Sequence, residues 1–174
     1  MARAAGQPHS AIETAFGASP SMFALGQLAG ASAAGSTGTQ TEISDLTVSV
    51  DPSELVVPGD LLVGLYGASV LGAGLTKLTF EIERGSTVLD AQSFTSVSAA
   101  QTYFSHDELN LGSVMTGLNS NGLLDLTFKL GVTEAGAGAG FSFGLLGGDP
   151  PAAGSAACLP SEHPLGWAAM GHGA

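Results

Sequence analysis

The run Leu124–Val132 constrains the fold more than any other stretch of the chain. Leu124, Leu126, Phe128, Leu130 and Val132 alternate with Asp125, Thr127, Lys129 and Gly131. That period of two places five large apolar side chains on one face of a strand and smaller or polar ones on the other. Slipping the register by one residue would turn all five toward water. Burying each is worth roughly 1.5–3 kcal/mol, so the strand must lie with one face against a second apolar layer.

The same alternation recurs elsewhere. Leu46, Val48 and Val50 oppose Asp45, Thr47 and Ser49. Leu78, Phe80 and Ile82 oppose Thr79, Glu81 and Glu83, and Arg84-Gly85-Ser86 then turns the chain into Thr87–Phe94 as a hairpin. Asp51-Pro52 and Pro58-Gly59-Asp60 mark turns. Phe141, Phe143 and Leu145 give a last strand behind the glycine-rich stretch 134–140, expected to be flexible. One helix is predicted to begin near Ser98, whose hydroxyl would cap the Gln101 N–H in a capping box, with Ala100, Tyr103 and Phe104 on one face. Seven or eight short strands and one short helix predict an all-β fold, an antiparallel β-sandwich of jelly-roll type with disordered termini.

Residues 1–40 are rich in Ala, Gly, Ser and Thr and read as a leader or linker, with an apolar patch at Met22, Phe23, Leu25 and Leu28 able to dock on the domain. The sandwich is assigned to 41–149, and 150–174, with Pro151, Pro160 and Pro164, to a tail. Behind Arg3 there is no apolar stretch of the length a Sec signal requires. The longest uncharged apolar run, Leu61–Thr76, holds 16 residues including Gly64, Gly67, Gly72 and Gly74. A membrane helix needs ~20, so this run reads as strand, turn and strand, and no integral membrane segment is expected.

Charge narrows the partners. The 174 residues include 15 acidic and 4 basic side chains, a formal charge of −11. The bases, Arg3, Lys77, Arg84 and Lys129, are scattered, whereas nucleic acid is held by clustered cations that displace counterions. The charge therefore argues against nucleic acid as a partner and disfavours anionic membrane surfaces. The single cysteine, Cys158, supplies neither an intrachain disulfide nor a zinc site.

Candidate chemistry is sparse. His106-Asp107-Glu108 sets the central domain's histidine beside two carboxylates, as a base or metal ligand or, more simply, as a solvated helix-to-strand turn. Gly67-Ala68-Ser69 lacks the spacing of a nucleophile elbow. Gly136, Gly138 and Gly140 precede a strand, whereas a phosphate-binding fingerprint precedes a helix. Asn119-Ser120-Asn121-Gly122 before Asp125 reads as an Asn-Gly hairpin turn and only faintly as a calcium loop. The acid-bearing loops at Asp51, Asp60 and Asp107 are the candidates for calcium, the one cofactor considered. Tyr66, Tyr103 and Trp167 are a thin aromatic supply for stacking a glycan. No catalytic residue is assigned.

Read together, Leu61–Tyr66, Leu78–Ile82, Phe94, Ala99–Phe104, Leu109–Gly112, Leu123–Phe128 and Ala139–Phe143 resemble a β-sandwich module found near the C-terminus of secreted or surface-displayed bacterial proteins. Low-lysine adhesin-like chains and proteins with PEP-CTERM-type sorting tails are among them. The likeness covers about residues 45–148. It implies a non-enzymatic, extracellular or cell-surface module acting in adhesion or matrix structure, with a surface glycan or protein as partner. A calcium- or glycan-binding module is the alternative. Leu159–Trp167 departs from the sorting-tail pattern, lacking Pro-Glu-Pro, a spanning helix and a basic end.

Overall fold

A computed structural model describes residues 23–31, 38–55, 60–106, 108–113, 116–135 and 138–149. Eight strands run in chain order: β1 (Phe23–Ala31), β2 (Thr39–Val50), β3 (Asp60–Leu71), β4 (Leu75–Arg84), β5 (Thr87–Phe94), β6 (Glu108–Ser113), β7 (Leu124–Ala135) and β8 (Gly140–Gly148). A helix, α1 (Val97–His106), joins β5 to β6, and a short 3₁₀ turn, Pro52–Glu54, follows β2.

The strands form two four-stranded antiparallel sheets, ordered β1-β8-β3-β6 and β2-β7-β4-β5. β1 pairs with β8, β2 with β7, β3 with β6 and β4 with β5. The chain is thus a long nested hairpin, closed tightly at Arg84↔Thr87 and rolled so that successive pairs fall in alternate sheets. β3 against β8 and β4 against β7 complete each sheet. This is the jelly-roll sandwich that the alternation predicts.

The core lies between the sheets, where period two directs it. Leu124, Leu126, Phe128, Leu130 and Val132 of β7 are all buried, as are Leu78, Phe80 and Ile82 of β4, Leu61, Val63 and Leu65 of β3 and Phe141, Phe143 and Leu145 of β8. Helix α1 adds Ala100 and Phe104, both fully buried. The Phe104 ring centroid stands 4.2 Å from Phe143, 5.2 Å from Phe80 and 5.3 Å from Phe141, so it fastens the helix between the layers. Tyr103, on the same helix face, stacks at 5.2 Å on Phe94 and donates its hydroxyl to Asp90.

Four expectations are corrected. Residues 23–31, inside the stretch read as leader, are strand β1 of the sandwich, and β2 begins at Thr39. The helix starts two residues earlier than expected: Ser96, not Ser98, caps it, accepting the Ala99 N–H on its hydroxyl and the Ala100 N–H on its carbonyl. Ser98 lies inside the helix, where its carbonyl accepts from Thr102. Starting at Val97 adds that half-buried side chain to the Ala100 and Phe104 stripe. Asn119–Gly122 does form a tight turn, but β6 and β7 belong to different sheets, so it is no β-hairpin. The stretch called flexible is strand as far as Ala135. Most of the leader (1–22) and the tail 150–174 lie outside the described residues.

Glycines set how closely the layers approach at one side. Gly26, at φ +151°, faces Leu46 of β2, and Gly30 faces Val132 of β7, at distances where a methyl group would collide. There the two sheets touch through Ser44, whose hydroxyl donates to the Ala29 carbonyl at 2.5 Å.

Candidate functional site

The residues singled out by the sequence do not converge. Asp51 caps the 3₁₀ turn, accepting the Ser53 N–H at 2.9 Å and the Ser53 hydroxyl at 2.7 Å; these bonds hold its carboxyl below the usual aspartate range. Asp60 opens β3 and accepts from the Asn110 amide of β6 at 3.2 Å. Asp107 lies outside the described residues, and of its neighbours His106 ends α1 while Glu108 opens β6 with an exposed side chain. Among the described residues no three His, Cys, Asp or Glu side chains are grouped to hold a metal ion.

Asn119 is explained by its own turn. Its Oδ1 accepts the backbone N–H of Asn121 at 2.9 Å and of Leu123 at 3.0 Å, and its amide donates to Asp125 at 2.9 Å. Ser69, in the rejected elbow, sits within β3 opposite Ser142. Gly140 opens strand β8, as the alternation after it requires. No helix of the described residues is long and apolar enough to cross a membrane.

What remains are the two outer sheet faces, and they differ. The β2-β7-β4-β5 face is polar and internally paired. Thr41 meets Thr133 at 3.1 Å, Thr47 meets Thr127 at 3.2 Å, and Ser49 donates to Asp125 at 2.6 Å. Hydrogen bonds from Ser49 and then Asn119 keep the Asp125 carboxyl below its ordinary value. Across the middle, Asp45, Lys129 and Glu81 stand in one row, and Lys129 reaches the Glu83 carboxylate at 2.6 Å. That contact lowers the Glu83 carboxyl and raises the Lys129 ammonium, with Glu81 and Asp45 adding to the second effect. The lysine already has three acids around it, so this face presents net negative charge.

The opposite face is uncharged and small across β1, β8 and β3. One row reads Gln27, Gly144, Tyr66 and the next Ala29, Ser142, Ser69. Tyr66 is 40% exposed, and its ring lies over Gly144 so closely that a Cβ there would run into it. The absent side chain at 144 gives the ring a flat seat. Gln27 and Ser69 beside it are exposed. An aromatic ring flanked by an amide and hydroxyls can stack on one face of a sugar and hydrogen-bond its hydroxyls. Sequence reasoning noted Tyr66 without seeing this seat, because Gly144 and Gln27 reach it only through strand pairing. The usable signal was the alternation of β3, which separates Tyr66 from the inward Leu61, Val63 and Leu65.

No protein-family model matches the chain, and no curated protein does.

Proposed function

We propose that this chain is a non-enzymatic structural or adhesive β-sandwich module of a bacterial secreted or surface protein. The observation that carries the reading is where the apolar mass sits. The rings of Phe80, Phe104, Phe141 and Phe143 pack against one another between the sheets, in the space where a jelly roll with an internal ligand would hold it. The working surfaces are then the sheet faces and edges. The resemblance of residues 45–148 to surface-displayed modules supports the same reading. Fractionation of the source cells, with protease applied to intact cells before blotting, tests it. The protein is expected in the medium or shaved from the surface; full protection inside the cell refutes it.

Tyr66 favours a second reading, a glycan-binding module. On this reading a sugar stacks on the exposed ring and bonds to Gln27 and Ser69. Tyr66→Ala then abolishes retention on the glycan that the wild type binds, without changing the melting temperature by more than a few degrees. Wild-type protein that binds nothing in a glycan panel removes this reading. Calcium has less support, since Asp51 and Asp60 already accept hydrogen bonds from neighbours. A melting temperature that does not move in millimolar calcium removes it.

A further inference from the structure

Among the described residues four strands form the sheet edges: β1, β6, β2 and β5. Three of them carry an extra residue that breaks the ladder. Leu25 is the surplus residue in β1, Leu89 lies between the paired Asp90 and Val88 of β5, and β6 spends two residues, Leu111 and Gly112, opposite the single Leu61. Such bulges turn an edge away from further pairing. β2 has none. It pairs with β7 without interruption from Thr39↔Ala135 to Val50↔Leu124, and over these 12 residues it contains neither proline nor lysine.

The direction of its free backbone groups follows from its neighbour. The Ala135 N–H donates to the Gly74 carbonyl, and the Thr133 carbonyl accepts from Thr76, both on the β4 side of β7. The odd-numbered residues of β7 therefore aim their backbone groups away from β2. The residues opposite them, Thr39, Thr41, Ile43, Asp45, Thr47 and Ser49, aim theirs at the open edge. At the middle of that row stands Ile43, 69% exposed and the most exposed large apolar side chain among the described residues.

We propose that β2 pairs with β2 of a second copy of this chain, antiparallel about a two-fold axis at Ile43, making one continuous sheet of the two polar-faced sheets. The acids of the strand select this register. An axis at Glu42 or at Asp45 would set a carboxylate against its own counterpart, and an axis at Ser44 would set Ile43 against Asp45. With the axis at Ile43, Ile43 packs on its counterpart, Asp45 faces Thr41, Glu42 faces Ser44 and Thr47 faces Thr39. Isologous pairing of this kind closes on itself and stops at a dimer. Because each copy carries a charge of −11, salt that screens their repulsion strengthens the association.

Light scattering after size exclusion tests the proposal on the full chain. The wild type is expected at twice 17.2 kDa, with the dimer more persistent on dilution at 0.5 M than at 0.05 M sodium chloride. Ile43→Lys, which sets two ammonium groups face to face, is expected at the monomer mass at the same concentration, with the circular dichroism spectrum unchanged. In a Cys158→Ser background, Ile43→Cys is expected to cross-link to itself under mild oxidation. Asp45→Cys does so only when mixed with Thr41→Cys. A wild type that is monomeric throughout, a dimer that survives Ile43→Lys, or self-cross-linking of Asp45→Cys overturns the proposal.

Discussion

Truncating Phe104 to alanine tests whether one ring fastens the helix to the sandwich. The side chain is fully buried, and its centroid lies within 4.2–5.8 Å of Phe80, Phe94, Tyr103, Phe141 and Phe143. A buried Phe→Ala change costs about 3–5 kcal/mol, combining lost transfer energy with the cavity left behind. Each favourable ring pair is worth about 0.5–1.5 kcal/mol beyond area, and five partners in one cluster place Phe104→Ala at the upper end, about 4–5 kcal/mol. For a domain of this size, at about 4 °C per kcal/mol, the melting temperature falls by roughly 15–20 °C. Phe104→Leu, which keeps most of the volume, costs less than about 1.5 kcal/mol. Urea titrations followed by far-ultraviolet circular dichroism give both values, provided the slope is unchanged. A loss below about 1.5 kcal/mol for Phe104→Ala, or equal losses for the two variants, would refute the assignment of the ring as the helix anchor.

Three further outcomes are expected. Glu134 continues the inward alternation of β7, is fully buried, and neither carboxylate oxygen has a hydrogen-bond partner among the described residues; Glu134→Leu removes this penalty and stabilises the fold by about 1–3 kcal/mol in urea melts, and a destabilised variant refutes the reading. The carboxyls of Glu83 and Asp125 are held below their ordinary values, so the stability they confer is present above pH about 4.5 and 3.8 and is lost as the pH falls through their lowered values; Ser49→Ala, which removes the 2.6 Å hydrogen bond to Asp125, should flatten the loss between pH 5 and pH 3, and an unchanged slope counts against it. Ser96→Ala is expected to cost about 1 kcal/mol and Ser98→Ala only a few tenths, an order that equilibrium unfolding would reverse if Ser98 were the cap.

How much of this was legible in the sequence depended on where the apolar signal sat. β7 and β4 carry their own alternation, so their buried faces could be read from residues 124–132 and 78–83 alone, while their pairing partners could not. β1 could not. Its inward positions include Gly26 and Gly30, and the atoms filling the space before them belong to Leu46 and Val132 on the facing sheet. A strand that puts only Leu28 fully into the core, between two inward glycines, looks like a linker. The helix start failed for a related reason: Ser96 and Ser98 are both plausible caps, and only the packing of Val97 beside Ala100 and Phe104 distinguishes them. The Tyr66 seat needed Gly144, 78 positions away and paired with it only through the ladder.

The nested hairpin has a consequence for how the chain is made. Its innermost pair, β4 with β5, can close across the tight turn at Arg84↔Thr87 as soon as both strands exist. Its outermost pair joins Phe23 to Gly147, and β8 is also the strand that ties β1 to β3. Until β8 emerges from the ribosome, β1 has no partner in its own sheet and β3 has only β6. Contacts so distant along the chain form slowly, because a long loop must close before they contribute. A nascent chain therefore stays without its second sheet until nearly the whole domain has been synthesised, and no N-terminal half of it is a folded object. Such a chain completes its fold only once β8 is free to slot between β1 and β3.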